Sequence, residues 1–178
     1  TTNRSTIHLP FAASLDSNHF RMRINMGREI ERKFLVTGDR WRTGQAKLLR
    51  QGYLSTDKHR TVRVRVSGES AFLTIKGLTR GATRREFEYP IPVEDANEML
   101  DELCKPPLIE KRRHVVRRDG VTWEIDEFLG ENEGLVVAEV ELQDEDQTFG
   151  RPEWLGEEVT QDPRYYNANL VQRPYSSW

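Results

Sequence analysis

Charged and apolar residues alternate in six short stretches of this chain, and this alternation constrains the fold more than any other feature. Side chains two residues apart lie on the same face of a β-strand, so each stretch predicts a strand with one charged and one apolar face. One such strand is typical of a solvated sheet edge, whereas six predict a curled sheet whose charged faces point inward. The charged residues are Glu29, Glu31 and Lys33; Arg63 and Arg65; Glu86 and Glu88; Lys111 and Arg113; Glu124 and Asp126; and Glu139 and Glu141.

The composition indicates one soluble domain with a moderate core, because 36% of the 178 residues are hydrophobic and 31% are charged. The net charge of −2 gives no global basic field, so nucleic acid is not expected as a partner and any anion site must be local. The single cysteine, Cys104, cannot form an internal disulfide, which fits a reducing cytoplasm. No apolar run approaches the roughly 20 residues of a membrane-spanning helix, so no membrane partner is expected.

The order of strand and turn patterns predicts a mainly β (α+β) fold, an eight-stranded antiparallel closed β-barrel with a few flanking helices. Residues 1–25 lack a long apolar region and are interpreted as an N-terminal extension, such as a leader, that precedes a single domain over 26–178. Residues 39–50 are predicted as a short helix or irregular link and 152–156 as turns. Helices are predicted over 92–103 and, as a closing element, 162–171. The first of them carries a predicted apolar stripe of Val93, Ala96, Met99, Leu100 and Leu103. The predicted strands are 28–36, 51–55, 61–66, 71–76, 84–91, 108–117, 121–128 and 135–142.

An inward charged face needs partners for its charges, because desolvating an unpaired charge is costly. Mutual salt bridges can satisfy part of the set. A triphosphate with bound Mg²⁺ or Mn²⁺ satisfies it better, since arginine and lysine pair with phosphate oxygens and hard divalent cations prefer carboxylate oxygens. Lys76 and, by parity with Glu86, Arg84 join the bases of this set.

Simpler interpretations stay open for individual residues. A charged strand face is ordinarily solvated, and Tyr53 is more typical of a packing residue than of a ligand. Trp41, Trp123 and Trp154 are expected in the core or at its rim. His59 and His114 lack the spacing of a zinc site.

Taken in order, these motifs resemble those of the CYTH superfamily, the triphosphate tunnel metalloenzymes. The resemblance covers Glu29 to Leu170 and is most similar to short bacterial members that hydrolyse inorganic triphosphate. It begins at EIERKFLV, which carries an ExExK signature, and continues through QGYL, RVR, TIKG, EFE, EKRR, WEID, VAEVEL and LGEEVTQDPRYYNANL. It implies that the final DPRYYNANL segment packs at or into one mouth of the tunnel.

The resemblance also implies roles for particular residues. The metal positions are Glu29, Glu31, Asp126, Glu139 and Glu141. The substrate-binding positions are Lys33, Tyr53, Arg63, Arg65, Lys76, Arg84, Lys111 and Arg113. The catalytic positions are Glu86, Glu88, Lys111 and Asp126. Glu124 is left without a role.

The resulting hypothesis is a metal-dependent hydrolase that cleaves tripolyphosphate to pyrophosphate and phosphate, with Mg²⁺ or Mn²⁺ as cofactor. The alternatives are an adenylyl cyclase or a thiamine triphosphatase of the same family, and a non-catalytic module that binds polyphosphate or nucleotides. We expect a cytoplasmic location and a small-molecule triphosphate as partner, and the sequence leaves a homodimer open.

Overall fold

Nine β-strands dominate the residues that the computed structural model describes, 27–178. The segment interpreted as an extension, residues 1–25, lies outside these described residues. The strands are β1 (Arg28–Val36), β2 (Lys47–Ser55), β3 (Arg60–Ser67), β4 (Ser70–Gly77), β5 (Thr83–Ile91), β6 (Ile109–Arg118), β7 (Val121–Phe128), β8 (Val136–Glu141) and β9 (Leu155–Glu158). The helices are α1 (Val93–Glu98), which continues as a π-helical turn over Met99–Leu103, and α2 (Asn167–Gln172).

The sheet closes on itself, which confirms the predicted eight-stranded antiparallel barrel. Its strand order is β5-β4-β3-β2-β6-β7-β8-β1-β9, and β1 also pairs with β5. All the strand pairs are antiparallel, and the closing pair joins Arg28–Ile30 of β1 to Thr83–Arg85 of β5. Closure pairs most of the backbone that an open sheet would expose at its edges.

Two predictions for the segments between strands were wrong. Residues 47–50 extend β2 instead of forming a helix or link, because they pair with β3 on one side and β6 on the other. Residues 155–158, within or next to the predicted turns, form the ninth strand, which pairs with β1 beside the barrel. Gly156 permits this pairing, since a Cβ there would lie 3.0 Å from the Leu35 carbonyl oxygen.

The parts of the outer face that lie under α1 and the 142–154 segment are apolar and carry most of the core. Trp123 and Phe34 pack with Val140 and Trp154 beneath the 142–154 segment, and Val64 packs with Ala96 and Leu100 under α1. The three tryptophans predicted for the core are 0–4% exposed.

Leu103 departs from the predicted apolar stripe of the helix, because it is 64% exposed. The stripe assumes a regular 3.6-residue repeat, whereas the chain widens into a π-helical turn at Met99. The wider turn rotates the last residues off the packed face.

The inner face changes from charged to apolar along the barrel. Ile109, Phe128 and Val137 stand two residues from Lys111, Asp126 and Glu139, on the same strand faces. We call the apolar cluster at this end the apolar floor, and it comprises Tyr53, Ile109, Phe128, Leu135 and Val137 packed with Leu170 and Val171. Since Leu170 and Val171 belong to α2, the C-terminal segment fills this end of the barrel.

Candidate active site

The interior holds a cavity of about 980 Å³, which we call the charged chamber. Residues from all eight strands of the barrel, β1 to β8, and from the C-terminal segment line it. The lining includes most of the residues predicted for the site: Glu29, Glu31, Lys33, Tyr53, Arg63, Arg65, Lys76, Arg84, Glu86, Glu88, Arg113, Glu139 and Glu141, together with Glu124.

Lys111 and Asp126 are two predicted site residues that lie outside this lining. Their side chains are 1% and 0% exposed and form an ion pair beneath the chamber, where the Lys111 ammonium lies 5.4 Å from the ring centroid of Phe128 in the apolar floor. Asp126 also accepts hydrogen bonds from Arg113, at 2.7 Å to Nε and 2.6 Å to Nη2. Although burial opposes ionisation, the charges of Arg113 and Lys111 hold the pKa of Asp126 below its usual range. The position of this pair supports an action through Arg113, whose guanidinium does reach the chamber.

Four carboxylates come from two neighbouring strands, β1 and β8. Glu31 stands opposite Glu141, and Lys33 stands opposite Glu139. The Lys33 ammonium forms ion pairs with both Glu31 and Glu139. Burial opposes this charged state of Lys33, but Glu139 and Glu31 raise its pKa overall.

The chemistry of these carboxylates fits a hard divalent cation, which takes oxygen ligands. Over residues 27–178, no three Asp, Glu, His or Cys side chains are gathered closely enough to hold an ion. A base between the acids accounts for this, since Lys33 joins Glu31 and Glu139 while Arg84 binds Glu29 through Nε at 2.5 Å. Glu29, Glu31, Glu139 and Glu141 therefore supply carboxylate oxygens within the chamber, whereas Asp126 lies beneath it.

A second group of charges, which we call the base cluster, comprises Arg63, Arg65 and Lys76 on β3 and β4. Nη2 of both Arg63 and Arg65 reaches the same oxygen of Glu88, at 3.3 and 3.1 Å. Lys76 pairs with Glu86 at 2.8 Å and with Glu29 at 3.2 Å.

The acids do not fully compensate the positive charge of the base cluster. Burial and the neighbouring Arg63 lower the pKa of Arg65 to about 10. Burial and Arg84 likewise lower the pKa of Lys76. A depressed pKa means that the protein stabilises the positive form of these groups less well than water does. An anion bound beside them would remove that deficit.

Two uncharged residues of the inner face, Thr74 and Gln51, were not predicted from the sequence. Thr74 is fully buried, and its hydroxyl donates to Glu88 at 2.9 Å while accepting from Arg63 at 3.1 Å. Its position on the same strand face as Lys76 was the available signal. Gln51 lies two residues from Tyr53 on the inner face and is also fully buried.

Tyr53 and the C-terminal segment form the boundary between the charged chamber and the apolar floor. Tyr53 is 5% exposed and belongs to both the chamber lining and the apolar floor. Burial raises the pKa of its phenol. The backbone N–H of Lys33 donates to the Thr160 hydroxyl at 3.0 Å, and Asn167 and Asn169 add uncharged polar groups to the lining.

The fold and the site place this protein in the class of closed antiparallel barrels whose interior carries paired acids and bases. The CYTH domain matches residues 27–175. An inorganic triphosphatase of Acetivibrio thermocellus is 54% identical over 154 residues, covering 86% of this chain and 99% of that protein. An inorganic triphosphatase of Nitrosomonas europaea is 41% identical over 147 residues, covering 80% and 96%.

Solved structures agree with the fold. The crystal structure of an inorganic triphosphatase is 40% identical and superposes with a TM-score of 0.58, covering 80% of this chain and 93% of that one. A conserved hypothetical protein of Pyrococcus furiosus, 21% identical, gives a TM-score of 0.52 over 66% of this chain and 80% of that one, and it supports the fold alone. The chain belongs to the CYTH domain family.

Proposed function

We propose that this protein is an inorganic triphosphatase that hydrolyses tripolyphosphate to pyrophosphate and phosphate in the charged chamber. The observation that carries the proposal is the base cluster, whose positive charge is incompletely compensated and which faces carboxylates across one cavity. The two relatives named inorganic triphosphatase, at 54% and 41% identity over most of the chain, support the same substrate.

In this proposal the bases bind the phosphates. Arg63, Arg65 and Lys76 approach from β3 and β4, and Arg84 and Arg113 approach from other strands of the same cavity. Guanidinium groups match phosphate oxygens in pairs, and charge-assisted hydrogen bonds are stronger than neutral ones. Phosphoryl transfer depends mainly on positioning and charge neutralisation, so a rigid array of buried bases suits it. Lys33 and Tyr53 are proposed as further contacts near the C-terminal segment.

The carboxylates of β1 and β8 are proposed to hold the divalent cation, Mg²⁺ or Mn²⁺. Glu29, Glu31, Glu139 and Glu141 would be its ligands, with Lys33 released from its two acids toward the phosphates. When bound, the cation would neutralise phosphate charge and polarise the phosphoryl group.

Glu86 and Glu88 are proposed to orient the attacking water, because they are carboxylates of the chamber on β5, whereas the proposed cation ligands are on β1 and β8. The new bond joins the water oxygen to the terminal phosphorus, the bridging P–O bond breaks, and pyrophosphate leaves with the electron pair. The water proton passes to a carboxylate and then to solvent. Lys111 and Asp126 are proposed to act by holding Arg113, which Asp126 binds through two nitrogens.

The remaining proposals concern the surroundings of the protein. The described residues contain no helix that is both long and apolar enough to cross a membrane. We propose a cytoplasmic location, in keeping with the free thiol of Cys104. We also propose that nucleic acid is not a partner, and that a homodimer is the oligomeric state to test first.

The size of the chamber favours a second kind of function, the turnover of an organic triphosphate. A volume of about 980 Å³ lies at the upper end of the range typical of pockets that hold drug-sized ligands. It therefore has room for the organic part of ATP or thiamine triphosphate in addition to three phosphates. An adenylyl cyclase or a thiamine triphosphatase is thus the alternative that a substrate comparison must address.

The test is a panel of tripolyphosphate, ATP and thiamine triphosphate, each with Mg²⁺ and with Mn²⁺. We expect equal amounts of phosphate and pyrophosphate from tripolyphosphate and slower turnover of the two organic substrates. A Glu31→Gln variant purified in the same way controls for contaminating phosphatases. Turnover of ATP to cyclic AMP without cleavage of tripolyphosphate would overturn the proposal, as would binding of tripolyphosphate without any product.

A further inference from the structure

Gln51 is an amide buried inside the barrel with no hydrogen-bond partner among the described residues. Its side chain is 0% exposed, and neither Oε1 nor Nε2 has a partner. A buried polar group left unpaired costs on the order of 1–3 kcal/mol, whereas a methionine would fill similar space without that cost. The amide is therefore unfavourable for the stability of the isolated chain, and buried polar groups of this kind call for a functional explanation.

The polar neighbour of Gln51 in the sheet is Arg65. Gln51 on β2 stands directly opposite Arg65 on β3, and its neighbour on the other side is the apolar Ile109 of β6. Directly opposed residues of an antiparallel pair have Cβ atoms about 5 Å apart on the same face. The Nε of Arg65 is itself a buried donor without a hydrogen-bond partner. An unpaired acceptor and an unpaired donor thus occupy opposed positions on adjacent strands.

The rest of Arg65 is held from other directions. Its guanidinium carbon lies 5.6 Å from the ring centroid of Phe72, the residue opposite it on β4. Its Nη2 donates to Glu88 at 3.1 Å, but the same carboxylate oxygen also accepts from Thr74 and Arg63. Three donors therefore share one oxygen of Glu88, and an anion in the chamber would compete with this oxygen for the Nη groups of Arg65.

We propose that Gln51 is a positioning residue for Arg65, whose Nε–H donates to the Gln51 amide oxygen when phosphate oxygens take the Nη groups. The Nε bond fixes the rotation of the guanidinium plane, so that both Nη groups point at the phosphate. This inference rests on the proposed function, because it requires Arg65 to bind the triphosphate.

The first test replaces Gln51 with methionine, which has similar length and no hydrogen-bonding group. For Gln51→Met we expect KM for tripolyphosphate to rise about ten- to hundred-fold, by loss of one hydrogen bond to a charged group, with kcat within about twofold. The melting temperature stays unchanged or rises, because an unpaired polar group is removed. A lower melting temperature with unchanged KM would identify a purely structural residue and overturn the proposal.

A matched control and a conservative variant sharpen this test. Leu49→Met alters packing at the next inward position of the same strand, where Leu49 is 2% exposed, and should leave KM within about twofold. Gln51→Glu keeps an oxygen acceptor and should restore most of the KM that Gln51→Met loses. Failure of Gln51→Glu to restore KM while the protein stays folded would contradict an acceptor role, and this variant keeps the test usable if Gln51→Met does not fold.

A double-mutant cycle with Arg65→Lys asks whether the effect passes through the guanidinium. Lysine keeps the positive charge and lacks the Nε–H. We expect Gln51→Met to change KM by less than about twofold in the Arg65→Lys background. Fully additive effects in an active enzyme would overturn the inference and leave the proposed function intact. If the wild type does not turn over tripolyphosphate, the proposed function fails. The cycle is then repeated with the dissociation constant of tripolyphosphate, measured by calorimetry. If tripolyphosphate does not bind either, the inference about Gln51 is overturned as well.

Discussion

One ion pair inside the barrel and one on its outer surface have the same nitrogen–oxygen distance in very different surroundings. Arg113 and Asp126 inside, and Arg40 and Glu153 outside, both have a nitrogen–oxygen distance of 2.6 Å. The inner side chains are 12% and 0% exposed, and the outer ones are 73% and 61% exposed. An exposed pair contributes little to stability, whereas the attraction within a buried pair often does not recover the cost of its desolvation. Distance alone therefore says nothing about why a pair is present.

The two regions also differ in how the charges are shared. Outside, Arg42 binds Glu127 through two nitrogens, and Arg50, which binds Asp101 at 2.5 Å, reaches its second acid Glu110 only at 3.9 Å. Inside, Lys33 joins two carboxylates, and Asp126 joins two bases. A shared inner charge can exchange one partner for a ligand while keeping the other. This is the property that a chamber for a polyanion and its cation requires.

The largest effect should come from removing two inner carboxylates together. We expect the Glu29→Gln/Glu31→Gln variant to lose cation-dependent cleavage of tripolyphosphate by on the order of a thousand-fold or more, because both proposed cation ligands on β1 are gone. Steady-state phosphate release measures this loss. The outer variant Glu153→Gln/Glu157→Gln changes the net charge equally and should retain activity. Equal losses in the two variants would erase the distinction between the regions.

The next effect concerns stability rather than turnover. Asp126→Asn leaves Lys111 and Arg113 buried beside a neutral amide, so we expect a loss of about 3–5 kcal/mol in the free energy of unfolding. Urea denaturation measures the loss. Glu127→Gln, at the next residue of β7, removes the acid of an outer pair and serves as the control. If Asp126→Asn were no more destabilising than Glu127→Gln, burial would not be what separates the two kinds of pair.

A smaller effect is expected from the hydroxyl that links two inner charges. Thr74→Val keeps the shape of the side chain and removes the hydrogen bonds to Arg63 and Glu88. We expect KM for tripolyphosphate to rise about three- to ten-fold, because Thr74 acts on the phosphate only through Arg63 and only part of the about 1.5–3 kcal/mol of a hydrogen bond to a charged group is then lost from substrate binding. The same substitution at the exposed rim residue Thr122 is the control. An unchanged KM for Thr74→Val would remove Thr74 from the site.

The smallest effect belongs to the outer surface. Arg40→Ala breaks the pair with Glu153, yet we expect kcat/KM for tripolyphosphate to stay within experimental error of the wild type, and the melting temperature as well. Activity assays and thermal melts in low and moderate salt check this. A clear loss of activity would mean that the outer charges also steer the substrate.

Much of the barrel was predictable because a strand with one charged and one apolar face leaves a period-2 pattern. The pattern failed where residues lack it. Leu48 and Leu49 are adjacent and apolar, so the first half of β2 carries no alternation, and β9 depends on pairing with β1 rather than on local sequence. The alternation also shows which face of a strand a residue lies on, but not how far along the barrel axis it lies. This is why Lys111 and Asp126 could be assigned to the inner face while their position beneath the chamber, next to the apolar floor, could not be foreseen.

The site could be predicted only as far as its charges. Glu29, Glu31, Arg63 and Arg65 were found because charge at alternate positions is conspicuous. Thr74 and Gln51 carry no charge, and their importance lies in what stands opposite them across the sheet. That information depends on strand register, which the sequence alone does not specify.

The measurement that tests the account most directly is kcat/KM for tripolyphosphate, with the melting temperature, for Lys76→Ala beside Arg40→Ala. Each variant removes one positive charge, one from the charged chamber and one from the outer surface. We expect Lys76→Ala to lose about ten- to hundred-fold in kcat/KM, as for a lost charge-assisted hydrogen bond of about 1.5–3 kcal/mol, while Arg40→Ala loses nothing. Unchanged kcat/KM in Lys76→Ala, with a lower melting temperature, would mean that the inner bases serve only to neutralise their acids, and would contradict the account.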